Sequence, residues 1–127
     1  MERINFIAAW AGILLGFFAG AVPGMLFHDP AWLGGYTSWA RRMIRLAHIS
    51  FFGLGFINLA FALSVGYAHL TARDVLIPSM LFLSGAVLMP TICYLAAWRT
   101  GFRRLFFIPV ICLIAAATLF LFGVIVR

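Results

Sequence analysis

Charged residues are scarce in this 127-residue chain: they make up 9% of it, and three of them are acidic. A soluble domain carries about a quarter charged residues. Lysine is absent, so all nine basic residues are arginines. Hydrophobic residues reach 65%, which is more than a soluble domain of this length can bury. The composition therefore excludes a soluble globule, a disordered chain and a secreted disulfide scaffold, and predicts an all-α integral membrane protein.

Two cysteines, Cys93 and Cys112, both lie within apolar segments. Thiols in such surroundings usually behave as small hydrophobic side chains, so we expect no disulfide between them. The net charge of +6 would suggest nucleic acid in a soluble protein, but these arginines lie at the ends of apolar runs. We therefore expect no nucleic-acid partner. The expected partners are membrane lipids and other membrane protein subunits.

Four apolar windows are long enough to cross a hydrocarbon core of about 30 Å. They cover residues 5–27, 43–69, 75–98 and 105–126. Short connections make neighbouring helices antiparallel, so the sequence predicts a single transmembrane domain with an up-down antiparallel bundle of four helices. The segment 28–41 combines helix breakers with interfacial aromatic residues, and we expect it to lie along the membrane surface.

The arginines also predict an orientation. Most of them flank the first and third loops, and fewer lie at the termini and the middle loop. Basic residues favour the cytoplasmic side, so we expect loops 28–41 and 99–104 in the cytoplasm. Both termini would then lie on the non-cytoplasmic side, and the expected location is a bacterial inner membrane. The arginines flanking the two cytoplasmic loops are Arg41, Arg42, Arg45, Arg99, Arg103 and Arg104.

Small residues recur every fourth position along the first predicted helix. This pattern is typical of a surface that another helix approaches closely, with dispersion contacts replacing the missing hydrophobic drive. The partner can be another helix of the same bundle or a helix of another subunit, and the sequence does not separate the two. This glycine stripe comprises Ala8, Gly12, Gly16, Gly20 and Gly24.

The second predicted helix carries His48, Gly55, Ala62 and His69 at intervals of seven residues. Such a spacing places them on nearly one helix face, with small residues between the histidines. Gly55 and Ala62 are therefore further candidates for close helix packing. We expect His69 at the outer membrane interface, since about 31 Å of helix separates it from His48.

The histidine face resembles the cofactor-facing helices of b-type membrane cytochromes, in which imidazoles ligate haem iron and arginines pair with propionates. The resemblance covers about fifteen residues. Independently of that resemblance, the helical spacing of Arg41, Arg45 and His48 puts all three on one side of the helix, which makes His48 the candidate ligand of a haem b and the two arginines candidate propionate partners. The remaining histidine, His28, is the candidate second axial ligand if the first loop folds inward. The alternatives for His48 are an interhelical hydrogen bond and a proton relay.

The predicted spans contain no aspartate, glutamate or lysine in their interiors. Ion-coupled transporters and proton pumps usually need such groups at depth, and hydrolases need an acid, a base and a nucleophile, so these classes are disfavoured. Asn58 is expected to form an interhelical hydrogen bond. Pro90 is expected to kink the third helix and to free the carbonyl of Ala86.

These features favour a small non-catalytic membrane subunit of a larger complex, in electron transport or light-energy conversion, with lipid or pigment contacts. The first alternative is a small b-type cytochrome that uses His48. The second is a homo-oligomeric channel or small-solute transporter, in which the glycine stripe forms the subunit interface.

Overall fold

The computed structural model describes residues 1–68 and 70–126. It is 88% helical, and the described residues contain no strand. Four helices within them are long and apolar enough to cross a membrane, so the prediction of an all-helical chain with four such helices is confirmed. The α-helices are Glu2–Leu26 (α1), Trp39–Tyr67 (α2), Ala72–Trp98 (α3) and Phe107–Ile125 (α4), and short 3₁₀ segments cover Trp32–Gly34 and Thr100–Phe106. The fourth membrane-length helix, Thr100–Ile125, comprises the second 3₁₀ segment and α4.

Three helices, α1, α2 and α3, begin earlier than the apolar windows indicate, and polar caps start two of them. The Ser38 hydroxyl accepts a hydrogen bond from the Arg41 amide at 3.3 Å, so α2 begins at Trp39. Thr71 and Asp74 form a capping box before α3, in which each side chain accepts from the other residue's backbone N–H. Such caps satisfy amide donors that a helix start would otherwise leave without partners.

Each helix contacts the next one along the chain, and α1 also contacts α3. A small apolar cluster joins α2, α3 and α4 near the middle loop. There the Phe61 ring lies 5.1 Å from the ring centroids of both Phe82 and Phe120, and Val65, Val75 and Ala116 complete the cluster. The shared core therefore depends mainly on α2 and α3.

The outer helices leave most of their apolar side chains uncovered. Phe17 and Phe18 of α1 are 63% and 61% exposed, and Ile114 and Phe122 of α4 are 62% and 65% exposed. Contiguous apolar surface of this kind requires cover by lipid or by another protein. The uncovered faces are thus compatible with an integral membrane protein.

Candidate functional site

The glycine stripe of α1 lies against α2 along most of its length. A Cβ atom added to Gly12 would lie 3.6 Å from the Cα atom of Gly55, and one added to Gly55 would lie 3.1 Å from the Ala9 carbonyl oxygen. The two backbones therefore approach closely at this point. Gly55, which the sequence placed on the histidine face, contacts α1, so this part of the face has no room for a flat cofactor.

Two further glycines accommodate aromatic rings of α2. A Cβ atom on Gly16 would lie 2.9 Å from the Phe52 ring. One on Gly20 would collide with Cε1 of His48 and lie 2.9 Å from its Nδ1 atom, whereas one on Gly24 has no neighbour within 4 Å among the described residues. Gly12, Gly16 and Gly20 thus pack against α2 of the same chain, and Gly24 faces open space. The other small residues singled out from the sequence, Ala8 and Ala62, are partly exposed.

His48 is held by a polar contact with α1. Its Nδ1 atom lies 2.9 Å from the carbonyl oxygen of Gly16, and its ring meets Phe52 edge-on with centroids 5.3 Å apart. A carbonyl oxygen only accepts hydrogen bonds, so Nδ1 is the atom that carries the hydrogen. In the neutral imidazole the other ring nitrogen, Nε2, then keeps its lone pair and can accept a hydrogen bond or bind a metal.

A cavity of about 240 Å³ lies beside His48, between the last turns of α1 and the first turns of α2. Its α1 wall is formed by small residues, including Gly20 and Gly24, and by Pro23. Its α2 wall carries Arg45 and His48. Pockets that enclose a drug-sized ligand measure about 300–1,000 Å³. This volume therefore suits a small group or one end of a longer molecule, and we call it the His48 cavity.

Two of the four candidate haem-binding residues lie at the His48 cavity, and two do not. Arg45 and His48 line it. His28 is exposed in the loop after α1, and Arg41 is fully buried elsewhere. His69 lies outside the described residues. The described residues contain no group of three or more His, Cys, Asp or Glu side chains that could hold a metal ion.

Arg41 anchors the loop between α1 and α2. Its Nε atom donates to the Trp32 carbonyl at 2.5 Å, and Nη2 donates to the Asp29 carbonyl. The guanidinium carbon lies 4.5–5.5 Å from the ring centroids of Tyr36, Trp32 and Phe27. Nη1 is buried without a hydrogen-bond partner among the described residues. Arg41 is therefore enclosed by aromatic rings and does not face the cavity with Arg45.

The path of this loop explains why Arg41 becomes buried. Gly34 and Gly35 have φ values of 84° and 96°, a backbone region that favours glycine. They let the chain turn back over the start of α2, and the Tyr36 hydroxyl donates to the Phe27 carbonyl at 2.7 Å. The sequence showed two glycines and three aromatic residues here, but nothing in it gave the direction of the turn.

A buried polar network joins the first three helices. The amide nitrogen of Asn5 donates to the Asn58 side-chain oxygen at 2.8 Å, and the Ser79 hydroxyl donates to the Asn5 side-chain oxygen. Asn58 also donates to the Leu54 carbonyl at 2.9 Å. All three side chains are at most 1% exposed. The interhelical hydrogen bond expected of Asn58 is therefore present, whereas its partner Asn5, and Ser79 which bonds Asn5, were not identified from the sequence.

An apolar groove of about 400 Å³ runs between α1 and α3. Phe51 of α2 is among its lining residues, and Thr91 and Tyr94 contribute hydroxyl groups to the lining.

Pro90 has no N–H, so the Ala86 carbonyl lacks its usual helical donor. Cys93 on the same helix and Cys112 on α4 are free thiols.

Comparison of the chain with protein-family models, with curated proteins and with solved structures found no match.

Proposed function

We propose that this chain is a small non-catalytic integral membrane subunit that packs into a larger membrane complex. Its four helices would cross the membrane as an up-down antiparallel bundle, with both termini on the non-cytoplasmic side of a bacterial inner membrane. The observation that carries the proposal is the use of the buried polar side chains: Asn5 bonds both Asn58 and Ser79, and His48 bonds the α1 backbone. These groups hold helices together.

Residue contacts support the antiparallel arrangement. The beginning of α1 meets the second half of α2 through Asn5 and Asn58, while Gly20 near the end of α1 meets His48 near the start of α2. The indole Nε1 of Trp39 donates to the Ala96 carbonyl at 2.7 Å, which joins the start of α2 to the end of α3. The arginine-rich loops would then share one membrane surface, as the positive-inside rule requires.

The exposed faces of α1 and α4 support a partner within the membrane. Fourteen phenylalanines and the uncovered apolar side chains of these helices offer extensive surface for dispersion contacts with other helices. The assignment to electron transport or light-energy conversion depends on His48 and Arg45, which line the same cavity. Lipid or pigment molecules would fill the remaining gaps.

Purification from native membranes in a mild detergent tests the proposal. A tag on the C-terminus allows isolation without disturbing the loops, and mass spectrometry identifies what co-purifies. The proposal predicts a stoichiometric membrane partner that is absent from an untagged control. Isolation of a lone monomer under several mild detergents would contradict it.

A small b-type cytochrome is the second candidate, and the orientation of His48 favours it. The contact between Nδ1 and the Gly16 carbonyl leaves Nε2 of the neutral imidazole available to a metal, the arrangement by which protein histidines commonly bind metals. The His48 cavity is smaller than a haem requires, so this candidate needs α1 and α2 to separate. It predicts a Soret band that disappears in His48→Ala. A colourless wild-type protein after haem supplementation would exclude it.

A further inference from the structure

We propose that the His48 cavity binds the headgroup end of an anionic phospholipid from the arginine-rich side of the membrane. This inference depends on the membrane insertion proposed above. It adds a specific ligand and a specific site, and it does not require a protein partner.

The charge at the His48 cavity favours an anionic ligand. Arg45 and His48 are its polar lining residues, and none of the described residues that line it is acidic. The guanidinium of Arg45 has one hydrogen bond within the described residues, a contact of 3.5 Å between Nη2 and the Tyr36 carbonyl. The acidic side chain in the neighbouring loop, Asp29, accepts from the Ala31 amide. The positive charge of Arg45 is therefore available to a phosphate in the cavity, whereas the guanidinium of Arg41 is enclosed by aromatic rings.

The shape of the α1 wall leaves room for a lipid headgroup in the cavity. Gly20 and Gly24 remove side-chain bulk from this wall, and a Cβ atom on Gly24 would meet nothing within 4 Å. Apart from Arg45 and His48, the lining is apolar. Such a volume accepts a phosphate and glycerol at its charged edge and the start of an acyl chain along its apolar wall. His48 Nε2 can accept a hydrogen bond from a headgroup hydroxyl.

The depth of Arg45 in the membrane also fits a lipid headgroup. Trp32, Tyr36 and Trp39 mark the level of the membrane interface, where such rings concentrate. Arg45 lies six residues after Trp39 in the same helix, which corresponds to about 9 Å along the axis. Its side chain reaches back to the Tyr36 carbonyl, as long basic side chains do when they extend toward headgroups. The leaflet facing positive loops is also the one that carries anionic lipids.

The test is native mass spectrometry of the full chain in a zwitterionic detergent, titrated with phosphatidylglycerol or with phosphatidylcholine of the same acyl chains. Wild-type protein should bind the first phosphatidylglycerol several-fold more tightly than phosphatidylcholine. Arg45→Gln should weaken phosphatidylglycerol binding by roughly fivefold, the effect of one interfacial arginine. Gly24→Leu, whose Cβ atom would meet no described atom within 4 Å, adds bulk to this wall and should abolish the preference.

Arg42→Gln is the matched control, because Arg42 is exposed at the same end of the bundle and stacks over Trp39 at 5.7 Å without lining the cavity. It should keep the preference. Equal losses in Arg42→Gln and Arg45→Gln would show diffuse surface attraction and overturn the site. Full binding in Gly24→Leu, with unchanged circular dichroism, would also overturn it.

Two further measurements separate the possible failures. Inorganic phosphate should not displace the lipid, and displacement at millimolar concentration would assign the site to the free ion. Membrane flotation of the expressed chain tests insertion separately. A chain that floats with membranes yet shows no lipid preference refutes the lipid site alone, and a chain that does not float refutes the proposed membrane function.

Discussion

Gly20→Ala and Gly24→Ala make the same chemical change four residues apart on one helix, yet we expect opposite effects on stability. The new methyl group at Gly20 would collide with Cε1 of His48, whereas the one at Gly24 would meet nothing within 4 Å. The difference follows from the position of a single imidazole ring. The pair therefore tests how α1 contacts α2.

The magnitudes follow from opposing terms. Replacing glycine by alanine inside a helix stabilises it by roughly 0.5–1 kcal/mol, and Gly24→Ala should show this gain. At Gly20 the ring must move by about 1 Å to restore ordinary van der Waals distances, so overpacking costs about 1–3 kcal/mol. The same movement breaks the contact between Nδ1 and Gly16, at about 0.6 kcal/mol for a typical interhelical bond. We expect Gly20→Ala to destabilise the protein by about 1–3 kcal/mol.

Reversible unfolding in mixed micelles, followed by circular dichroism, measures the free energy of unfolding of both variants. A double-mutant cycle with His48→Ala should recover much of the loss, because the shortened side chain at position 48 leaves room for the methyl group introduced by Gly20→Ala. Equal stability of Gly20→Ala and Gly24→Ala, or a loss that His48→Ala does not reduce, would refute the predicted packing of this ring.

Three other substitutions test other contacts. Asn58→Leu removes the bond from Asn5 and should lower the free energy of unfolding in mixed micelles by about 1–2 kcal/mol; an unchanged value would contradict the buried network. Arg41→Met removes the loop anchor, so amide exchange in residues 28–37 should accelerate while α3 stays protected, and unchanged loop exchange would argue against the anchor. Gly85→Ala places a methyl group 2.5 Å from Cδ2 of Leu113, so it should lower the melting temperature through the α3–α4 contact, whereas an equal or higher value would contradict that packing.

The number of helices was predictable because hydropathy and length decide it. A run of about 20 apolar residues has few structural alternatives in a chain with so little charge. The helix starts were harder, because Ser38 and the pair Thr71 and Asp74 lie outside the apolar windows and act through hydrogen bonds. Local polar caps therefore account for the earlier starts of α2 and α3.

The site was only partly predictable. His48 was identified because a histidine within an apolar helix is conspicuous, but its neighbour Gly20 is fixed by how α1 and α2 align. Arg41 and Arg45 share a side of α2 in sequence, yet the loop encloses one of them and leaves the other at the cavity. Asn5 lies at the edge of its window, where a polar residue usually faces water. Tertiary contacts, which no single segment contains, decide these outcomes.

Cysteine labelling shows directly whether the chain crosses the membrane four times with both termini on the non-cytoplasmic side. In a Cys93→Ala and Cys112→Ala background expressed in bacteria, single cysteines replace Glu2, Ala72 or Gly101, all of which are exposed. A membrane-impermeant maleimide should label the Glu2→Cys and Ala72→Cys variants in intact cells, and the Gly101→Cys variant only after the cells are opened. Labelling of Gly101→Cys in intact cells, or protection of Ala72→Cys in them, would contradict the account.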